Sequence, residues 1–100
     1  MEKYNIKTNK AAVRDLEDIV DYINTLSPQA AIAQFERIIE GINSLETLPE
    51  RCPIPNNMSL RAKGYRMLII DNYLVFFVII AKTVRVRRVF YNKRNYEWLL

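Results

Sequence analysis

The residues that could perform chemistry in this chain are arginine, lysine and tyrosine, and they are concentrated in its last third. The stretch from Gly64 to Tyr96 reads GYRMLIIDNYLVFFVIIAKTVRVRRVFYNKRNY. The sequence contains no histidine, which excludes the commonest general base and the Ser-His and Cys-His nucleophile pairs. The second half has only two carboxylates, Asp71 and Glu97, which argues against a Mg²⁺-dependent nuclease.

Other site classes are excluded by spacing and count. The only two glycines, Gly41 and Gly64, are too far apart for a glycine-rich phosphate loop. The single cysteine, Cys52, can form neither an internal disulfide nor a cysteine-based metal cluster. Without a histidine it is also a poor nucleophile. We therefore expect no metal and no cofactor.

The remaining residue types can still cleave RNA, because the substrate supplies its own nucleophile, the 2′-hydroxyl. Arginine can stabilise the charge of a pentacoordinate phosphorus, and a tyrosine or lysine among cations can exchange protons. Aromatic side chains can stack unpaired bases. For any one such residue on a strand, simple packing is the favoured interpretation. Arg66 is the exception, since an arginine in an increasingly apolar strand needs a partner or a purpose.

Charge is distributed unevenly along the chain. Residues 1–50 contain nine acids and five bases, net −4, whereas residues 51–100 contain two acids and ten bases, net +8. This asymmetry predicts an anionic partner for the second half, either nucleic acid or an acidic protein segment. The length of 100 residues predicts a single domain, residues 1–100. The absence of a signal peptide or membrane-length apolar run predicts a cytoplasmic protein that does not bind membranes.

The first half predicts a short strand followed by two helices. Apolar and polar residues alternate within residues 1–8. Apolar positions then form one helical stripe over Lys10–Leu26. Ser27 can cap a second helix with Pro28 at its first position. That helix should run to about Leu48 and form a hairpin with the first.

The second half predicts a loop over Pro49–Asn57 and then three strands. The first strand begins within residues 59–65 and ends at Ile70, before an Asp71-Asn72 turn. The next two are Tyr73–Ile80 and Thr83–Tyr91, with a bulge where the alternation breaks at Arg87-Arg88. Residues 92–100 should end in a short helix.

The predicted class is therefore α+β, in the order β-α-α-β-β-β, with a twisted antiparallel sheet packed against a helical hairpin. The core should be shared by apolar residues of the helices and of the central strand: Leu16, Ile23, Phe35, Ile42, Val75 and Phe77.

These features resemble the RelE/ParE superfamily of bacterial toxins from type II toxin–antitoxin systems. The resemblance covers nearly the whole chain. It includes DLEDIVDYI and AIAQFERIIEGINSL in the helices, the Leu48-Pro49 pair after them, and GYRMLIIDNYLVFFVI and VRVRRVFYNKRNYEWLL in the last third. Within the superfamily, RelE-like toxins cut mRNA in the ribosomal A site without a metal, whereas ParE-like toxins inhibit DNA gyrase.

The resemblance implies a cognate antitoxin as partner and a set of site residues. In the RNA-cutting branch, the arginine of the glycine-tyrosine-arginine stretch and groups near the end of the chain would be catalytic: Arg66, Arg88, Tyr91, Lys93, Arg94 and Tyr96. Nucleic-acid contacts would come from the basic and aromatic residues around them: Arg61, Lys63, Tyr65, Arg85 and Arg87.

The sequence departs from RelE at one pair of positions. RelE carries two lysines on the strand before glycine-tyrosine-arginine, whereas Asn57 and Ser59 stand near those places here. The histidine of some other members is also absent. The favoured interpretation is a ribosome-dependent, metal-independent mRNA endoribonuclease, with the ribosome and mRNA as partners. The alternative is a non-enzymatic inhibitor of DNA gyrase.

Overall fold

The computed structural model describes residues 2–92, and the helices and strands within this range follow the predicted order with one addition. The helices are α1 (Lys10–Leu26), α2 (Pro28–Asn43) and α3 (Met58–Ala62), and the strands are β1 (Asn5–Thr8), β2 (Arg66–Ile70), β3 (Tyr73–Ile80) and β4 (Thr83–Tyr91). The predicted terminal helix and Lys93, Arg94 and Tyr96 lie outside the described residues. No helix within residues 2–92 combines the length and apolar character needed to cross a membrane.

The four strands form one mixed sheet in the order β1-β4-β3-β2. The meander β2-β3-β4 is antiparallel, as predicted, whereas β1 runs parallel to β4 with Asn5 opposite Thr83. A parallel pairing requires a long connection between the two strands, and the chain from α1 to β3 provides it. The predicted α+β fold, a helical hairpin packed on a sheet, is confirmed.

The helical hairpin forms as its end signals predict. Ser27 Oγ accepts a hydrogen bond from the Ala30 N–H at 3.2 Å, and Pro28 occupies the first turn of α2. The helix ends earlier than predicted, because the chain tightens into a 3₁₀ turn over Ser44–Glu46. Gly41 lies so close to β2 that a Cβ there would be 2.9 Å from Ile70 Cγ1, so its lack of a side chain permits the contact.

Helix α3 corrects the prediction of a strand beginning within residues 59–65. Asn57 Oδ1 accepts a hydrogen bond from the Leu60 N–H at 3.0 Å and caps the helix. Gly64 then adopts a positive φ of 83°, which ends the turn and redirects the chain into β2. Leu60 is only 1% exposed and packs on the sheet. This single turn of helix covers part of the sheet face opposite the helical hairpin.

Apolar residues are buried on both faces of the sheet. The helix-side core contains Ala12, Leu16, Ile38, Ile42, Leu45, Cys52, Ile70, Tyr73, Val75, Phe77, Val84, Val86 and Val89. A second cluster lies under α3 and contains Leu60, Tyr65, Leu74, Phe76, Val78 and Phe90. The predicted core residues fall in the first cluster or at its margin, except Phe35. That side chain is 41% exposed in a groove between α1 and α2, so its placement in the core was wrong.

The turn between β2 and β3 is tied to α2. Asp71 has a positive φ of 53°, consistent with the predicted tight turn. Its carboxylate accepts two hydrogen bonds from the Arg37 guanidinium, both 2.7 Å, and a third from Gln34. These bonds, Arg37 first, lower the pKa of Asp71 to about 2. The turn is therefore held against the helix by a charged contact on the surface.

Candidate functional site

The bulge predicted in β4 is present and gives its arginines different surroundings. Phe76 of β3 pairs with Arg88, and the next residue, Phe77, pairs with Val86. Arg87 is therefore the extra residue in β4. The bulge is what allows two successive arginines to occur in a strand that otherwise alternates apolar and polar residues.

Arg88 is bound by a carboxylate of α1. Its Nε and Nη2 atoms donate to Asp15 Oδ2 and Oδ1 at 2.8 and 2.9 Å. The Val89 N–H, just after the bulge, donates to the same Oδ2 at 2.9 Å. The Asp15 and Arg88 side chains are only 10% and 22% exposed. The hydrogen bonds to Asp15 raise the pKa of Arg88. The Asp15–Arg88 pair thus fixes α1 to the bulge.

Arg66 donates to backbone carbonyls of the preceding loop. Its Nη1 lies 3.0 Å from the Glu50 oxygen and 2.9 Å from the Cys52 oxygen. The neighbouring Met67 N–H donates to the Pro53 oxygen at 3.0 Å, so the start of β2 is fastened to this loop at two points. The partner that the sequence required for Arg66 is therefore the loop backbone.

The sheet register places Arg66 and Arg88 on opposite faces. Arg66 pairs with Phe77, and Phe77 pairs with Val86, so these three residues point toward the helix-side core. Arg88 pairs with Phe76, which belongs to the cluster under α3, and its guanidinium lies 4.6 Å from the Phe90 ring centre. Paired residues on neighbouring strands share a face, so the two arginines leave the sheet from opposite faces, and the Arg88 guanidinium then ends at Asp15 of α1.

Tyr91 is distant from Arg66, although it points to the same face. It pairs with Tyr73, four residues before Phe77 along β3, which corresponds to roughly 13 Å at the usual rise per residue. Its ring meets the Tyr73 ring edge-on with centres 5.7 Å apart. Of the six predicted catalytic residues, the three that the structure describes therefore do not converge on one point.

The predicted nucleic-acid contacts divide into one packed tyrosine and four cations. Tyr65 is 8% exposed and packs edge-on against Phe76, 6.3 Å between ring centres. It therefore serves the second core. The cations form what we call the basic face: Arg61 and Lys63, exposed on and after α3, and Arg85 and Arg87, half-buried on β4. Arg85 pairs with Val78 on the same sheet face that α3 covers.

The basic face retains hydrogen-bonding capacity. The Nε atoms of Arg85 and Arg87 are buried and have no hydrogen-bond partner among the residues that the structure describes. A buried donor without a partner is costly, and both guanidinium groups belong to partly exposed side chains whose positive charge attracts an anion. The arrangement can bind carboxylates or phosphates.

Cys52 and the acidic residues offer no further reactive group within the described range. The Cys52 side chain is 4% exposed, and burial raises the pKa of its thiol, which disfavours the nucleophilic thiolate. Between residues 2 and 92, no three Cys, Asp or Glu side chains are grouped so as to hold a metal ion.

A cleft that the sequence analysis missed opens between α1 and the ends of β3 and β4. We call it the tyrosine cleft, and it has a volume of about 480 Å³. It is lined by residues of all three elements: Asp15, Asp18, Ile19, Tyr22, Tyr73, Val89, Phe90 and Tyr91. Burial is the main cause that raises the pKa of Tyr73. The sequence did indicate that the α1 part of this lining shares one helix face, because its four residues recur at steps of three and four: Asp15, Asp18, Ile19 and Tyr22.

Comparisons with known proteins bear on the fold and on the family of this chain. A solved structure described as the chromosomal ParDE toxin–antitoxin system from P. aeruginosa matches with a TM-score of 0.77 and 19% identity, over 89% of this chain and 96% of that one. The RelBE2 toxin–antitoxin complex from Mycobacterium tuberculosis matches with a TM-score of 0.66 and 22% identity, over 91% and 93%. No curated protein sequence matches.

The two structural matches show a shared fold, because both identities are low. The family comparison goes further: residues 6–96 match the model of the ParE toxin of type II toxin–antitoxin systems, parDE. That match spans most of the chain and includes both helices of the hairpin and all of β2, β3 and β4. The chain therefore belongs to the ParE toxin family, within the RelE/ParE superfamily of type II toxins.

Proposed function

We propose that this toxin inhibits DNA gyrase by protein–protein contact, and that it does not cut mRNA. The observation that carries the proposal is that Arg66 and Arg88 pair with residues of opposite sheet faces and donate to different internal groups. A metal-independent nuclease must bring its arginines and its proton-transfer group to a single phosphate, within hydrogen-bond reach. The sequence alone favoured the other candidate, the mRNA endoribonuclease.

The internal contacts of the two arginines support the same conclusion. Arg66 donates to the carbonyls of Glu50 and Cys52, and Arg88 donates to a carboxylate that is nearly buried. A transition-state stabiliser should be preorganised toward the substrate. Here each guanidinium is organised toward the protein's own groups, and its release would cost the fold a contact before any substrate was bound.

The basic face is the surface that we assign to the target. Arg85 and Arg87 carry buried Nε donors without partners in the described part of the chain, and Arg61 lies exposed on α3. Paired arginine donors suit acidic side chains of a protein surface. Binding of this kind changes no covalent bond, so a ParE toxin can act on gyrase without a catalytic centre.

A cognate antitoxin is the partner that we propose for the free toxin. Both structural matches are toxin–antitoxin systems. The excess of bases in the second half of this chain favours an acidic antitoxin segment over the basic face. The product of the neighbouring gene should therefore co-purify with the toxin and restore growth. A toxin that remains unbound beside that product would contradict this proposal. The cytoplasmic location stays a prediction.

The RNA-cutting function is kept as the second candidate because of Arg85, Arg87 and Tyr91. The first two are partly exposed cations, which suit phosphates as well as carboxylates, and Tyr91 is 42% exposed. In this alternative, Arg66, Arg88, Lys93, Arg94 and Tyr96 would complete the catalytic set after a rearrangement. Arg66→Ala would then lower kcat by roughly 10²- to 10³-fold.

Two parallel assays separate the candidates. The purified toxin is added to gyrase with relaxed plasmid, and to a translation reaction whose mRNA ends are mapped. We expect supercoiling to be lost while the mRNA remains intact. Arg85→Gln should weaken inhibition, whereas Arg14→Gln, which removes the same charge from an exposed site on α1, should leave it nearly unchanged. Cuts at A-site codons together with normal supercoiling would refute the proposal.

A further inference from the structure

The tyrosine cleft is a built site on the acidic side of the molecule. Tyr73 forms its inner wall and is 9% exposed, yet its hydroxyl has no hydrogen-bond partner among the described residues. The rings of Tyr73 and Tyr91 meet edge-on beside it, and Tyr22 stands at the mouth, 67% exposed. The ring of Tyr73 is buried, whereas its unpartnered hydroxyl is not among the buried polar atoms, so the hydroxyl can bind a ligand in the cleft.

The charges around the cleft select a cation. Asp15 is already neutralised by Arg88, whose two bonds to it are 2.8 and 2.9 Å. Asp18 lines the same cleft, is exposed, and forms no hydrogen bond or ion pair within residues 2–92. One unpaired carboxylate and several tyrosine faces attract an ammonium or guanidinium group through ion pairing and cation–π contact. The Asp18 carboxylate would disfavour an anion there.

We propose that the tyrosine cleft receives a lysine or arginine side chain of the cognate antitoxin. The inference rests on the antitoxin partnership proposed above and adds a second contact of opposite sign. The basic face requires acidic residues of the antitoxin, and the cleft requires one basic residue. A volume of about 480 Å³ accommodates a long cationic side chain with adjacent backbone. Two contacts of opposite charge would fix the orientation of the antitoxin, since reversing it would place like charges together.

Binding of the purified antitoxin to toxin variants tests the proposal. Tyr73→Phe removes only the hydroxyl and should weaken the affinity roughly tenfold, the effect of losing a hydrogen bond to a charged group. Asp18→Asn and Tyr22→Leu should each weaken it roughly two- to fivefold. Glu36→Gln is the matched control, because it removes one exposed acid from α2 that does not line the cleft.

The antitoxin side identifies the cation. Each lysine and arginine of the antitoxin is replaced by methionine in turn. At one position the replacement should weaken binding to the wild-type toxin and abolish the difference between wild type and Tyr73→Phe. The proposal is overturned if no position shows this coupling, or if Tyr73→Phe and Asp18→Asn bind like Glu36→Gln. Supercoiling assays without antitoxin test the proposed inhibition of gyrase separately. The gyrase proposal and the cleft proposal can therefore be refuted independently.

Discussion

Replacing Asp15 with alanine should destabilise the toxin more than any other change of a charged residue within residues 2–92. The substitution leaves the Arg88 guanidinium without its carboxylate and the Val89 N–H without an acceptor. Removing one member of a buried ion pair costs about 3–5 kcal/mol. The Arg88 side chain is 22% exposed and recovers some hydration, so we expect a value near the lower end, about 3 kcal/mol.

Chemical denaturation of the purified variants measures this cost, and thermal unfolding measures the matching change in Tm. A loss of about 3 kcal/mol should lower Tm by roughly 12–24 °C in a domain of this size. Asp15→Asn keeps the shape and an acceptor and should cost less than Asp15→Ala. The exposed acid Asp21, on the same helix, provides the control: Asp21→Asn should change stability by no more than about 0.5 kcal/mol.

A double-mutant cycle completes the test. If Asp15 and Arg88 act as a pair, Arg88→Ala should cost much less in the Asp15→Ala background than in the wild type, with a coupling energy of about 1–3 kcal/mol. Independent effects would show that the pair contributes nothing to the fold. A stable Arg88→Ala protein that has lost toxicity would show that Arg88 acts on the target, and our structural interpretation would be wrong.

Three further substitutions test other contacts. Gly41→Ala should destabilise by about 1 kcal/mol, because crowding of Ile70 outweighs the gain in helix propensity; the loss should shrink in an Ile70→Val background, and a stabilised protein would contradict the contact. Asp71→Asn should lower Tm at pH 7 by removing the Arg37 contact. Because the pKa of Asp71 is lowered to about 2, that difference should fade between about pH 4 and pH 2, and one that persists below pH 2 would have another cause. Ala81→Gly should stabilise by up to about 1 kcal/mol in denaturation, since Ala81 has a φ of +55°, and a loss would show that its methyl group is needed.

The sequence predicted best the elements whose signals are local. The bounds of α1, β3 and β4 coincide with the predicted ones, because apolar periodicity and turn residues define them. The bulge at Arg87 was visible as a break in alternation. The short helix α3 was not predicted, because a single helical turn shows little apolar periodicity. Its position depends instead on the cap that Asn57 forms.

The contacts of the candidate site were harder to predict, because residue type alone does not reveal which groups bind its arginines. Arg66 is held by two loop carbonyls, and every residue has a carbonyl. Asp15 is one of several acids on α1, and only the packing of that helix beside β4 distinguishes it from Asp18. The family resemblance placed Arg66 and Arg88 in one catalytic set, whereas the register of three strands pairs them with residues of opposite faces.

The parallel pairing of β1 with β4 delays completion of the sheet until nearly the whole chain has been made. Asn5 cannot pair until Thr83, which lies opposite it in the register, has been synthesised. At a synthesis rate of about 5–20 residues per second, the interval is roughly 4–16 s. The meander β2-β3-β4 needs only short loops and can form first, whereas closing the long loop to β1 carries a larger entropic cost. A nascent toxin therefore carries an unpaired first strand through most of its synthesis, and its complete sheet forms only once β4 has been made.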